Sequence, residues 1–344
     1  MRIAVVRNRE GSGIINRFGQ VSPERYGNRT VQMVAEALAD SGHDVAVLEG
    51  DKTLLAQLEQ FMPPAPDGQP TGIVFNMAYG IQGECRYTHV PAMLEMAGVP
   101  YTGSSPFGHA LALDKVVTKI LLENAGVPTP RYRVLAGPDQ PLEGMRFPVV
   151  VKPRHESTSY GLGFAKNSRE AAEAVGSVVE QYEQEALVEE YIGGREFCVG
   201  LLGNQEMEFL PIVESDFGQR DLRLVTRADK FMKSACEPGK ICPAAIDDGL
   251  ASTLRELSMV TFRSCHCKDF ARVDIRVDTD GNPYVLEINS MASLGRTGSF
   301  VQAAQTVGYD FPALIRRILD ETHRRYFGIR AESPLPAEAS IGRG

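Results

Sequence analysis

Apolar and polar positions alternate between two periods along the chain, and the switches mark its elements. RIAVV is a short apolar run of strand length. A loop rich in Gly and Asn follows through Gly27. In NRTVQMVAEALADSG, Val31, Val34, Ala35 and Leu38 then recur at helical spacing, and Gly42 stops them. DVAVLE predicts a second strand and GIVFNMA a third, with PPAPDGQP as a surface loop before it. Strand, helix, strand predicts a parallel α/β unit at the N-terminus. Gly11 and Gly13 make a bare G-x-G in the first loop. That is a weak dinucleotide signal, since no third glycine opens a helix and no acidic ribose partner is in place.

VPAMLEMAGVPYTGSSP reads as helix, glycine stop, short strand and turn, and LALDKVVTKILLENAGVPTP repeats the arrangement, with a domain boundary near residue 110. Next come the strand FPVVVK, the loop PRHESTSYGLG, the helix NSREAAEAVGSVVEQY, the strand ALVEEYI and the hairpin EFCVGLLGNQEMEFLPIV. A long polar loop is expected from Glu214 to about Pro243, then the helix DDGLASTLRELSMVTFRSC, a hairpin, a helical C-terminal region and a polar tail.

The hairpin ARVDIRVDTDGNPYVLEINS alternates polar and apolar residues around the turn dipeptide Asp280-Gly281. Symmetry about that turn puts Asp274 opposite Glu287 and Arg272 opposite Asn289. Directly opposed side chains have Cβ atoms about 5 Å apart, where like charges repel. A divalent cation between Asp274 and Glu287 would turn the repulsion into shared coordination, and with Asn289 all the donors are hard oxygens suited to Mg²⁺. A solvated sheet face, its carboxylates neutralised by Arg272 and Arg276, is the other reading of this stretch.

Net charge is −8, with no Lys/Arg-rich block, so nucleic acid and anionic membrane are not expected as main partners. Hydrophobic residues at 43% and charged residues at 23% are ordinary for a globular protein, and 344 residues suit two or three domains. No segment reaches the roughly 18 apolar residues of a spanning helix, and MRIAVV is too short for a signal-peptide apolar region. The six cysteines make no disulfide scaffold. Cys265-His266-Cys267 departs from the usual zinc spacings, so buried, structural thiols are expected there and a reducing cytoplasm is implied.

Lys152 leaves an apolar strand and is followed by Glu156, Ser157, Thr158, Ser159, Gly161 and Gly163. Small residues let backbone N–H groups approach phosphate oxygens, and the lysine adds a point charge. The stretch lacks the Walker A pattern, and an ordinary flexible loop is its alternative. In VEEYIGGREF, Glu189, the backbone through Ile192, and Glu196 after a Gly-Gly turn could read a ribose and an adenine edge, although glutamates before turns are usually just solvated.

Taken together and in this order, these segments resemble the ATP-grasp superfamily, and within it the D-alanine–D-alanine ligases, over about residues 20 to 320. The resemblance implies an N-terminal Rossmann-like parallel α/β domain (1–110) before a two-lobed ATP-grasp fold. The central lobe with its phosphate lid would span 111–200, the C-terminal lobe with the metal hairpin 201–330, and a flexible tail 331–344. It implies ATP and Mg²⁺ as cofactors, with Mn²⁺ as an alternative. Asp274, Glu287 and Asn289 would hold the metal; Lys115 in LDKVVTK, Lys152, Glu156, Ser157 and Ser159 would meet the phosphates; Glu189, Ile192 and Glu196 would meet the nucleoside. The implied activity is carboxylate–amine ligation through an acyl phosphate. Arg272 would stabilise the oxyanion, Lys230 would close over the phosphates, Glu24 in SPERYG would hold the first amino acid's ammonium, and Thr158 would supply the lid hydroxyl.

The acceptor end departs from the family pattern. YGIQGE keeps Gly80, Gly83 and Glu84 but has Tyr79 where histidine is usual, Phe231 stands where a tyrosine follows the closing lysine, and SMASLGRTGSF replaces a Ser-Pro-Gly turn. A related ligase with a different amino acid or amine as acceptor therefore stays open. A non-catalytic ATP-binding module is the reading from another class, and it would need neither Arg272 nor Glu24. A homodimer is also implied by the resemblance.

Overall fold

The computed structural model describes residues 1–9, 13–17, 21–22, 24–226, 229 and 238–328. Gly11, Lys230, Phe231 and the tail 331–344 lie outside the described residues. In the N-terminal unit, β1 (Arg2–Arg7) pairs in parallel with both β2 (Asp44–Glu49) and β3 (Gly72–Asn76). Both faces of β1 are covered, as a parallel sheet requires. Ile3 and Val5 pack with Val31, Val34 and Leu38 of α1 (Asn28–Ala39). Ala4 and Val6 pack with Leu54 and Leu58 of α2 (Leu54–Phe61), and with Val90 and Leu94 of α3 (His89–Met96). The sequence pattern predicts no helix at α2. Its buried apolar residues are only Leu54 and Leu58, a single i,i+4 pair that gives periodicity little to work on.

Two short helices, α4 (Pro106–Leu113) and α5 (Lys115–Asn124), lead to a four-stranded antiparallel sheet in the order β4-β7-β5-β6. Its strands are β4 (Tyr132–Leu135), β5 (Val149–Pro153), β6 (Gly163–Ala165) and β7 (Ala186–Glu190). Val149, Val151, Ala186 and Val188 pack against Ala171, Val175 and Val178 of α6 (Ser168–Tyr182). The strand period of two sends Val150, Lys152, Leu187 and Glu189 to the opposite face. Residues 191–194 carry the chain into a larger sheet in the order β11-β10-β8-β12-β13, with β9 also on β8. These strands are β8 (Arg195–Gly203), β9 (Met207–Phe209), β10 (Val213–Asp216), β11 (Gly239–Ile241), β12 (Phe270–Val277) and β13 (Pro283–Asn289).

The stretch expected as one polar loop thus contributes the edge strand β11 and most of its inner neighbour β10. Both are short and mostly polar, so neither shows the alternating apolar face by which a strand is recognised. Behind the sheet, α7 (Asp248–Ser264) packs Leu254 and Phe262 against Val199, Val273, Ile275, Val285 and Ile288. The Cys265 and Cys267 side chains belong to this same core. Two final helices, α8 (Ser299–Thr306) and α9 (Phe311–Phe327), return the chain to the N-terminal unit, where Leu314, Ile315 and Ile318 join the core around α1. No helix of the described residues is long and apolar enough to cross a membrane.

The hairpin of β12 and β13 has the expected pairs at its inner end, Arg272 opposite Asn289 and Asp274 opposite Glu287. Its turn differs from expectation. Val277 faces Pro283 across a loop from Asp278 to Asn282, centred one half-residue away from Asp280-Gly281. A bulge restores the phase, because after Asp274↔Glu287 the next pair is Ile275↔Val285 and Leu286 is left over.

Candidate active site

The open face of the small sheet and one face of the large sheet carry the charged residues singled out by the sequence. On β12, Ala271, Val273, Ile275 and Val277 point into the core, which leaves Arg272, Asp274 and Arg276 on the other side. Arg272 grips Asp274 with two bonds, Nε to Oδ1 and Nη2 to Oδ2, both 2.7 Å. Asn289 Nδ2 donates to Asp274 Oδ2 at 3.0 Å, which leaves Asn289 Oδ1 as its acceptor. Burial opposes the Arg272 charge, yet Asp274, with Glu287 adding, holds the guanidinium firmly protonated. Carboxylate and carboxamide oxygens from Asp274, Glu287 and Asn289 thus share one end of the hairpin, a donor set that fits a hard divalent cation.

Lys115 and Lys152 bring positive charge toward this face. Burial pulls the Lys115 ammonium down, and Glu287 opposes it most strongly. Lys115 Nζ also donates to the backbone oxygen of Glu156, which ties α5 to the lid. Lys152 is buried as well, but Glu189 and Glu287 raise its pKa above the ordinary value. Its Nζ lies 2.5 Å from Glu189 Oε2, and Lys119 Nζ lies 2.5 Å from Oε1 of the same carboxylate. Burial alone would raise Glu189, while the two lysines hold it at about 2. Ile192 is buried where the chain passes between the sheets, and Glu196 pairs with Arg276 at 3.0 Å. Arg276 also stacks over the Tyr191 ring at 5.0 Å and donates to Arg223 O at 2.6 Å.

The lid carries local strain. Thr158 and Ser159 have φ of 51° and 59°, in the left-handed region, where a β-branched threonine is an outlier of the kind that gathers at functional segments. Ser159 Oγ donates to Val225 O at 2.9 Å. Glu156 turns its carboxylate to Arg86, 3.2 Å from Nη2, and accepts from Gln184 Nε2 at 2.9 Å. Arg86 Nη2 also lies 3.3 Å from Glu24 Oε2, which accepts from Tyr87 OH at 2.6 Å. Tyr87 OH reaches Ser157 Oγ at 3.4 Å, so Ser157 is the lid hydroxyl near Glu24. The Thr158 hydroxyl stands outside this chain of contacts, buried and without a hydrogen-bond partner among the described residues.

Sequence reading missed several members of the site. Lys119 had a signal, since it follows Lys115 by four residues and so shares its helix face. Arg86 and Tyr87 had none. Beside them, Tyr26 stacks on Tyr79 with ring centroids 5.1 Å apart, and Tyr79 tilts on Tyr87 at 5.3 Å. Met291 and Leu113 complete this cluster, and Leu294 N donates to Tyr26 OH at 3.2 Å. His109 Nδ1 lies 2.8 Å from Ser290 Oγ, just after Asn289, and burial drops the imidazole to about 3.

Residues 121–320 match the family described as D-ala D-ala ligase C-terminus, more than half of the chain. An uncharacterized protein of Sinorhizobium fredii, y4sG, is 52% identical over 332 residues, covering 95% of this chain and 98% of that one. The D-alanine–D-alanine ligase of Moorella thermoacetica is 29% identical over 314 residues, 88% of this chain and 96% of that one. That of Alcanivorax borkumensis is 35% identical over 234 residues, 67% and 71% of the two chains. Among solved structures, the D-alanine–D-alanine ligase of Bacillus anthracis complexed with ATP superposes with a TM-score of 0.73 at 21% identity, covering 94% of this chain and 98% of that one. The architecture is therefore the expected one, a Rossmann-like unit followed by a two-lobed ATP-grasp fold. On sequence and fold together, the chain belongs to the D-alanine–D-alanine ligase family.

Proposed function

We propose that the protein is an ATP-dependent carboxylate–amine ligase that forms an amide bond through an acyl phosphate. The observation that carries this reading is that Arg272, Lys115 and Lys152 all feel the acidic face of Asp274 and Glu287, to which Asn289 is hydrogen-bonded. Phosphoryl transfer calls mainly for alignment and neutralised charge. Lys115 and Lys152 supply cationic charge to the phosphates, and Glu156, Ser157 and Ser159 lie on the lid that covers them. Glu189, Ile192 and Glu196 hold the nucleoside. Asp274, Glu287 and Asn289 would hold a Mg²⁺ ion, which when bound would supply positive charge that offsets the charge of the phosphates. Glu24 receives the ammonium of the carboxylate substrate. Once the acyl phosphate has formed, Arg272 faces the negative charge that grows on the carbonyl oxygen as the amine attacks. Closure of the lid keeps water from the acyl phosphate. Lys230 is proposed to close over the phosphates.

The Tyr26–Tyr79–Tyr87 cluster with Met291 favours an acceptor other than D-alanine. It packs buried aromatic rings and a thioether against the segment where the family pattern has a Ser-Pro-Gly turn. The test is phosphate release from Mg²⁺–ATP against single amino acids, amino-acid pairs and small amines. Release that needs a carboxylate substrate is expected, with the highest rate for a pair other than two D-alanines. ATP binding without substrate-dependent release across the panel would favour a non-catalytic module.

A further inference from the structure

Lys119 follows Lys115 on the same face of α5, but it is wholly buried and takes no part in the phosphate contacts proposed above. Its ammonium is surrounded by protein. Nζ donates to Thr129 Oγ1 at 2.7 Å and to Pro130 O at 3.4 Å, pairs with Glu189 Oε1 at 2.5 Å, and lies 5.2 Å from the centre of the Tyr132 ring. Thr129 Oγ1 in turn donates to Val285 O at 2.8 Å, beside the bulge of the metal hairpin. An ammonium so fully partnered cannot swing into the cleft without stranding buried groups.

Lys152, the second cation on Glu189, is placed differently. It feels Glu287 and Asp274 across the cleft, so a triphosphate bound there would draw it away from Glu189. Lys119 would then be the cation that remains. An ionised carboxylate only accepts hydrogen bonds, whereas a protonated one also donates. A 6-amino purine offers a donor to an acceptor, and a 6-oxo purine opposes it with a second acceptor.

We propose that Lys119 is a positioning residue that keeps Glu189 an acceptor-only reader of the nucleotide base and so selects a 6-amino over a 6-oxo purine. The inference rests on the nucleoside role proposed for Glu189. Burial pushes the Glu189 carboxyl up, and Lys119 is the first of the charges that pull it down. The groups facing it are Lys119 and, behind it, Glu123 from α5, Lys152 from β5 and Tyr132 from β4. Glu287 and Asp274 act on it through Lys152.

The test is calorimetric binding of Mg²⁺–ATP and Mg²⁺–inosine triphosphate between pH 6.5 and 8.5. Wild type is expected to prefer ATP by about 10- to 100-fold, the range of one charge-assisted hydrogen bond, with a ratio flat in pH. In Lys119→Met, Glu189 binds a proton at the acid end, so the ratio drops to about 3 or less at pH 6.5 and climbs as the carboxyl ionises. Glu189→Gln, whose amide can both donate and accept, loses the preference at every pH. A relaxed Glu189→Gln beside a Lys119→Met that keeps the wild-type, pH-flat ratio overturns the proposal. If Glu189→Gln itself keeps the ratio, the nucleoside role of Glu189 fails instead, and the proposal falls with it. Should Lys119→Met not fold, Lys119→Gln carries the same expectation, because it keeps a donor and drops the charge.

Discussion

Glu287→Gln separates a metal ligand from a structural carboxylate, because the two roles predict opposite balances of stability and binding. Glu287 stands directly opposite Asp274, which puts their Cβ atoms about 5 Å apart. For charges at about that separation and an effective dielectric near 20, the repulsion is about 3 kcal/mol. Against it stand attractions of the same order from Lys115, Lys152 and Arg272, each of which registers the Glu287 charge. Neutralising Glu287 removes both sets, so stability without metal should change by no more than about 1 kcal/mol, or about 3 °C in melting temperature. Metal affinity behaves otherwise. Groups that merely support a ligand cost 10–100-fold when lost, so losing one carboxylate ligand should weaken Mg²⁺-dependent ATP binding by about 100-fold or more. Melting in EDTA and calorimetric Mg²⁺ titration at fixed ATP read the two quantities. A variant with wild-type Mg²⁺ dependence, or one that melts far lower in EDTA, would refute the reasoning.

Two other predictions concern groups outside the chemistry. Asp269 is wholly buried and accepts from Gly103 N at 2.8 Å, Asn204 Nδ2 at 2.9 Å, Thr322 Oγ1 at 2.7 Å and Arg325 Nη2 at 2.9 Å, joining the N-terminal unit, the large sheet and α9. Asp269→Ala strands those donors and should cost about 3–5 kcal/mol in urea unfolding, and a loss under about 1 kcal/mol would contradict that role. His109 is held near 3, chiefly by burial, so the unfolded chain takes up its proton first and stability is lost as pH falls from about 6.5. Between pH 6.5 and 5 that should amount to about 2 kcal/mol in wild type and vanish in His109→Gln; equal pH slopes in the two would exclude His109 as the cause.

What the sequence made legible was chemistry confined to one short segment. Asp274, Glu287, Asn289 and Arg272 lie on two adjoining strands, so alternation and a turn signal suffice to bring them together. The pairing matches the expectation although the turn lies half a residue away from it, because that offset at the loop and the extra Leu286 cancel. A cue was available, since Val285 and Ile288 are both core residues three apart, a spacing no regular strand allows on one face. Lys152 and Glu189 were found one at a time, yet their pairing across β5 and β7 and the role of Lys119 behind them depend on distant segments meeting. Arg86 was invisible for the same reason. An isolated arginine in a single helical turn (Arg86–Thr88) carries no pattern, and only the fold brings Glu24 and Glu156 to it from 62 and 70 residues away.

The leftover Leu286 makes the hairpin a mechanism with two independent halves. Residues beyond it, from Val277 to Pro283, can be lengthened, shortened or re-turned by one position, and the bulge can take up or give back the difference before it reaches Glu287. The tip is therefore a region where length is free to drift or be engineered, while the two acidic residues three and four positions inward stay locked in step with each other.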